Sequence, residues 1–150
     1  MATRTYTTRR QGIVNAIVDA LSAIDGTGNY HSNLGGNISP RLKFWDEVEE
    51  FPAVHINAGG ETREYLTGGI KNRFLTITLR CYVNEEDAVN ALDALLEDVE
   101  TVLEDNSSMT YTDKLGVSQG IQQITILSID TDEGVLEPMG VAEMVAEVRY

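Results

Sequence analysis

The clearest pattern in the chain is an alternation of apolar and polar residues from Arg73 to Val83. The apolar set comprises Leu75, Ile77, Leu79, Cys81 and Val83. A period of two is typical of a β-strand with one buried face. Apolar residues then recur at helical spacing, at Ala88, Leu92, Leu95, Val99, Val102 and Leu103, and predict an amphipathic helix. Asn84 is its predicted N-cap, with Glu85, Glu86 and Asp87 in the first turn, where negative charge is favourable.

The remaining periodic segments predict one further helix and three further strands. The helix spans residues 8–25 and is stopped by Gly26, and the strands span 51–56, 121–129 and 142–150. The order helix, strand, strand, helix, strand, strand predicts a single α+β domain over residues 1–150. We expect a mostly antiparallel four-stranded sheet with two main helices packed on one face. Residues 1–7 are expected to be a flexible tail, and Trp45 is expected to pack on the edge of the core.

Residues 57–72 carry two glycine pairs around a segment with both charges, an aromatic residue and a leucine. This composition favours a long β-hairpin or projecting arm over a tight turn. Such an arm would expose apolar groups, which are typical of contacts with another chain. The candidate contact residues are Arg63, Tyr65, Leu66, Ile70 and Arg73. The alternative, equally compatible with the sequence, is a loop that folds back on its own core.

The formal net charge is −13, and almost all of it lies in the second half of the chain. Residues 1–80 contain nine Lys or Arg and eight Asp or Glu, whereas residues 81–150 contain two and sixteen. This half would repel phosphates, which argues against ordinary nucleic-acid binding through it. A solvated acidic surface explains the charge most simply. The more specific interpretation is that the acidic surface faces a molecule that it must not bind tightly.

No catalytic, cofactor or metal-binding pattern survives inspection. The G-x-S-x-G match at residues 116–120 lacks a preceding strand and a following helix, and both histidines, His31 and His55, come before it. Neither histidine has metal-ligand spacing with the single cysteine, Cys81, which is expected to be a buried thiol. Paired carboxylates such as Glu97 and Asp98 are expected on the solvated face of the second helix. The sequence therefore predicts a protein that is not an enzyme and has no cofactor.

The arrangement of these segments resembles the tail terminator (tail completion) proteins of long-tailed bacteriophages. The resemblance rests on the first helix, Phe51-Pro52-Ala53-Val54-His55-Ile56, the glycine-bracketed arm, the strand at 73–83, the acidic helix and the two closing strands. It implies a hexameric ring on the head-proximal end of the tail tube. Such a ring stops tube polymerisation and joins the tail to the neck or head-completion protein. It also implies assembly in the host cytoplasm, a final place in the virion tail or neck, and no membrane partner.

The resemblance gives two groups of residues a possible role. The arm, with the five contact residues named above, would bind a neighbouring subunit or the tail tube protein. Carboxylates would line a channel through which genomic DNA passes without specific binding. The candidate lining residues are Glu85, Glu86, Glu97, Asp98, Glu143 and Glu147. The alternatives are a head-closure or neck adaptor ring and, in another class, a small cytoplasmic regulatory binding domain.

Overall fold

The computed structural model describes residues 7–42 and 47–150, in which two helices cover one face of the main sheet. The predicted position of Trp45 lies outside the described residues, and so do residues 1–6 of the tail predicted over residues 1–7. In chain order the elements are α1 (Arg9–Leu21), β1 (Ile38–Ser39), β2 (Ala53–Tyr65), β3 (Lys71–Asn84), α2 (Ala88–Asp105), β4 (Thr110–Thr112), β5 (Ser118–Gly120), β6 (Gln123–Thr131) and β7 (Met139–Arg149).

The main sheet has the strand order β1-β2-β3-β7-β6. Its four long strands pair antiparallel, and the two-residue β1 adds a parallel pairing to β2. The prediction of a mostly antiparallel α+β sheet is confirmed, but the sheet has five strands rather than four. A separate two-stranded sheet, β4-β5, was also not predicted. Strands of two or three residues are too short to show a period of two, so the pattern could not reveal them.

The core lies between the sheet and the helices. Leu75, Ile77, Leu79 and Cys81 on β3 are fully buried, as the alternation predicted. Alternate residues of β7 and the predicted apolar stripe of α2 are buried as well: Ala142, Met144, Ala146, Val148, Leu92, Leu95, Val99, Val102 and Leu103. Burying one such leucine or isoleucine side chain contributes about 1.5–3 kcal/mol, so this shared face is the main source of stability.

Both helices start or stop at positions that differ from the prediction. Helix α1 is capped by Thr8 but ends at Leu21 rather than residue 25, although Ile24 stays buried in the turn that follows. Burial of Ile24 continues the apolar period past the helix end, so the period does not mark the terminus. Helix α2 is capped by Asp87, not by Asn84. Asn84 is the last residue of β3, paired with Met139, because the β3-β7 ladder continues further than the alternation indicated.

Candidate assembly surfaces

The β2-β3 hairpin, residues 53–84, leaves the core at an irregularity in β2. The strand register shifts between Ala58 and Glu61, where Gly59 and Gly60 provide the extra residue. The guanidinium of Arg10 on α1 donates hydrogen bonds to the carbonyl oxygens of Ala58 (3.2 Å) and Gly59. A bulge bends its strand and increases the local twist. Helix α1 therefore fixes the point from which the outer hairpin departs.

On the helix side, the base of the outer hairpin is fixed by three hydrogen-bonded residues, Tyr150, Glu61 and Arg63, and by a fourth, Arg73, that lies over an aromatic ring. The hydroxyl of Tyr150 donates to Glu61 Oε1, and Arg63 Nε donates to Glu61 Oε2 at 2.8 Å. The Arg73 guanidinium lies 5.4 Å from the centroid of the Tyr150 ring, a distance typical of a cation–π contact. Arg63 and Arg73, which the sequence predicted to be contact residues, are thus engaged within their own subunit.

The charges of this group shift two pKa values. Burial alone would raise the pKa of Glu61, but hydrogen bonds from Tyr150 and Arg63, together with the charges of Arg63 and Arg10, outweigh it, and the pKa is lowered. For Tyr150, burial and then the hydrogen bond to Glu61 raise the pKa to about 12. The ionised carboxylate and the neutral phenol therefore stabilise each other at neutral pH.

The other face of the hairpin base has its own contacts. Arg149 donates from its guanidinium to Asn72 Oδ1 at 2.9 Å, and the same guanidinium lies 5.9 Å from the centroid of the Phe74 ring. Asn72 is 8% exposed, although it is polar and lies only one residue inside the end of β3. The hairpin is therefore held from both faces of the sheet, and it presents its tip in a defined direction.

The tip itself is apolar and open to solvent. Tyr65, Leu66 and Ile70 are 69%, 45% and 58% exposed. The amide of Leu66 donates to the carbonyl of Ile70 at 2.7 Å and closes the turn, and Gly68 has a φ of 83° within it. These three predicted contact residues come together in space, as an interface would require. They are exposed rather than packed on their own core, which favours the projecting arm over a folded-back loop.

The six predicted lining carboxylates do not share one surface. Glu85 and Glu86 are exposed in the turn between β3 and α2, and Glu97 is exposed on α2. Glu143 and Glu147 lie on the helix-free face of the sheet, where β7 pairs them with Arg80 and Thr76 of β3. Glu143 also forms an ion pair with Arg80 at 3.2 Å, which raises the pKa of that guanidinium. The structure therefore distributes these carboxylates over the turn before α2, helix α2 and the helix-free face of the sheet.

Asp98 has a structural position rather than a surface one, which corrects its assignment to a solvated lining. Its side chain is 2% exposed. Oδ1 accepts a hydrogen bond from the amide of His31 at 2.9 Å, and Oδ2 accepts one from the amide of Ser32 at 2.7 Å. Buried backbone donors need acceptors, and the charged carboxylate supplies two. Asp98 therefore fastens the loop after α1 to α2.

Helix α2 carries an acidic stripe on the face where the sequence predicted solvated carboxylates. Asp93, Glu97, Glu100 and Glu104 follow one another at intervals of four, three and four residues, and all four lie outside the core. Such intervals place side chains on one face of a helix. No lysine or arginine occurs between residues 81 and 113, so no basic side chain of this segment offsets the charge of the stripe.

The motifs rejected from the sequence occupy ordinary places. Ser118 lies on β5, with a turn before it and a strand rather than a helix around it. Within residues 7–42 and 47–150, no three His, Cys, Asp or Glu side chains are grouped so as to hold a metal ion. No helix in this part of the chain is long and apolar enough to cross a membrane. Burial raises the pKa of Cys81 to about 12 and keeps it a thiol.

Comparison with known proteins identifies the class of protein that has this fold and this hairpin. Residues 7–150 match the family described as Bacteriophage Tail Tube Terminator Protein. The chain belongs to this family. It is 36% identical over 149 residues to the tail tube terminator protein p142 of Escherichia phage T5, an alignment that covers 94% of this chain and 92% of that protein.

A solved structure supports the fold independently. One chain in the virion of a native gene transfer agent particle aligns with a TM-score of 0.50 and 11% identity, covering 92% of this chain and 93% of that one. At this identity the match concerns the fold alone. Family membership confirms the resemblance seen in the sequence and makes this chain a structural tail terminator protein of a phage particle. The alternative of a small regulatory domain is set aside.

Proposed function

We propose that this protein forms a ring, with six copies, on the head-proximal end of the phage tail tube. The ring ends tube polymerisation and provides the surface to which a neck or head-completion protein binds. The observation that carries this proposal is the hairpin tip: three exposed apolar residues, Tyr65, Leu66 and Ile70, on a strand pair that is fixed at its base. Exposed apolar groups held in one direction are typical of a surface that is covered on assembly.

In this ring each copy offers the hairpin to a different surface of the next copy, or to the tail tube protein. A heterologous contact of this kind closes into a ring when the rotation between copies allows it. Arg63 and Arg73 act from the base of the hairpin, where Glu61 and Tyr150 hold them in place. Their role is to orient the tip and to add charge next to it, while the apolar residues make the central contact.

We further propose that helix α2 faces the channel of the ring. Glu97 and the rest of the acidic stripe would repel DNA phosphates, so that the genome slides past without specific binding. Glu85 and Glu86 lie in the turn before the helix, at the end of the sheet, and are not assigned to the channel wall. Glu143 and Glu147 lie on the opposite layer and are assigned to the outside of the ring. The protein acts in the virion after assembly in the host cytoplasm, without a catalytic step.

The test is tube assembly in the presence of this protein and of a variant without its apolar tip. Purified tail tube protein is polymerised alone, with the wild type, and with Leu66→Ser/Ile70→Ser, and tube lengths are measured by electron microscopy. The wild type is expected to stop growth, and the double variant to leave tubes as long as those of tube protein alone. Leu115→Ser is the matched control, because Leu115 is 74% exposed on a different hairpin. Tubes of equal length with and without the wild type would contradict the proposal.

A further inference from the structure

The two ends of the sheet carry opposite charge. The tip end is the hairpin segment 63–71, with Arg63 and Lys71 against one exposed carboxylate, Glu64. The base beside it adds Arg73 and Arg149 against the carboxylate of Glu61, which is paired with Arg63. The acidic end consists of residues 84–89 and 130–139, where β3 and β6 end and β7 begins. These two segments contain no lysine or arginine and seven carboxylates: Glu85, Glu86, Asp87, Asp130, Asp132, Glu133 and Glu137.

The acidic end also has an exposed apolar centre. Val135 and Leu136 in the β6-β7 loop are 82% and 51% exposed, and Val89 on the first turn of α2 is 42% exposed. The loop packs directly on this helix, since a Cβ on Gly134 would lie 3.0 Å from Val89 Cγ2. We call these three residues, Val89, Val135 and Leu136, with their rim of carboxylates, the acceptor patch.

Hydrogen bonds give the acceptor patch a fixed shape. The amide of Gly134 donates to Asp132 Oδ1 at 3.2 Å, and the amide of Val135 donates to the carbonyl of Asp132 at 3.0 Å. The amide of Glu85 donates to the carbonyl of Pro138 at 3.0 Å and ties the loop to the turn before α2. A fixed apolar surface loses little conformational entropy when it is covered.

The tip and the acceptor patch cannot meet within one molecule. Lys71 and Asn84 are the two ends of β3, and fourteen residues of strand place them about 40 Å apart. Each surface is apolar at its centre, and the charges around the two are opposite in sign. We propose that the hairpin tip of one copy docks on the acceptor patch of the next copy. This inference rests on the ring described above and specifies its subunit contact.

The chemistry favours a second copy of this chain over another partner. Tyr65, Leu66 and Ile70 would cover Val135 and Leu136, while Lys71 and Arg63 would approach the carboxylates of the rim. Opposite charges at the edge of an apolar contact fix its register and exclude the like-charged pairing of tip with tip. Because the two patches differ, an open chain of copies keeps one free tip at one end and one free acceptor patch at the other until the ring closes.

Cross-linking between engineered cysteines tests this contact. Leu66→Cys/Val135→Cys is assembled with tail tube protein and treated with a short bis-maleimide, the native Cys81 being fully buried. A ladder of covalent oligomers is expected, ending at the ring number. Leu66→Cys/Thr101→Cys is the control, since Thr101 is exposed on α2 away from the acceptor patch, and it should give monomers. The proposed contact would be overturned if Leu66→Cys/Val135→Cys gave no ladder of covalent oligomers, or if both double variants gave the same ladder.

A charge exchange gives a second, independent readout. Lys71→Glu should reduce ring formation at least tenfold at low salt, and adding Glu133→Lys should restore it to within about threefold of the wild type. No recovery in the double variant would overturn the contact. If rings form and cap tubes but neither test succeeds, only this contact is wrong. If the wild type neither assembles nor caps tubes, the proposed function fails with it.

Discussion

Replacing Asp98 with alanine would release the loop after α1 from helix α2. The buried carboxylate accepts the amides of His31 and Ser32 at 2.9 and 2.7 Å, and the substitution leaves both donors without this acceptor. A hydrogen bond to a charged group is worth about 1.5–3 kcal/mol, so two contribute roughly 3–6 kcal/mol. Part of this lost stability is recovered, because water can reach the two amides of the loop and because alanine is a better helix former than aspartate by about 0.6 kcal/mol.

We therefore expect Asp98→Ala to lower the free energy of unfolding by about 3 kcal/mol, measured by urea denaturation at pH 7 with circular dichroism. For a chain of this length the melting temperature should fall by about 10 °C. Asp98→Asn keeps one acceptor and should lose about half as much.

Glu97→Ala is the matched control, because its side chain is 70% exposed and lies 3.7 Å from His31 Nε2. An exposed pair of this kind contributes little, so the change should stay below about 0.5 kcal/mol. Equal effects of Asp98→Ala and Glu97→Ala would refute the reasoning, since a solvated carboxylate on the face of a helix would behave in this way.

Three further outcomes follow from individual contacts. Gly12→Ala should destabilise the protein by about 1–3 kcal/mol in urea although alanine favours helices, because its Cβ would lie 2.6 Å from the carbonyl oxygen of Thr112. Tyr150→Phe should cost about 1–2 kcal/mol at pH 7 by removing the hydrogen bond to Glu61. Cys81 should react with a thiol reagent only after unfolding, because it is fully buried with a pKa of about 12.

Each of these three predictions has a control or an outcome that would contradict it. Gly60→Ala meets no atom within 4 Å and should change stability little, so equal losses at both glycines would contradict the clash. The folded pKa of Tyr150 is raised from 10.0 to about 12, so its contribution is complete below pH 10 and is lost as the pH rises to 12. The folded pKa of Glu61 is lowered from 4.5, so its contribution is lost as the pH falls below 4.5. A Tyr150→Phe variant with an unchanged alkaline profile, or a native Cys81 that reacts at once, would contradict these assignments.

The long periodic elements were predictable because periodicity reports burial. The alternation in β3 and the stripe in α2 name the residues that the structure buries. The same signal placed the end of α1 wrongly, since Ile24 is buried in a turn, and it gave no sign of β1, β4 or β5. Element boundaries depend on caps and ladder hydrogen bonds, which hydrophobic periodicity does not report.

The site residues divide in the same way. Tyr65, Leu66 and Ile70 could be chosen because apolar residues between two glycine pairs, or directly after the second pair, are unusual in an exposed segment. The role of Asp98 could not be predicted from the sequence, because its two amide donors lie more than sixty residues earlier in the chain. The hydrogen bond between Tyr150 and Glu61 could not be predicted either, because 89 residues separate the two. Contacts between distant residues are set by the packed fold and leave no local pattern.

The most direct test of the central claim is to locate this protein on assembled tail tubes. Tubes grown from tail tube protein are mixed with a gold-labelled form of this chain and imaged by electron microscopy, and the number of copies at each site is counted by mass. The account predicts a closed ring of label at one end of each tube, with no further growth from that end. Label along the tube walls, label at neither end, or continued growth from labelled ends would contradict it.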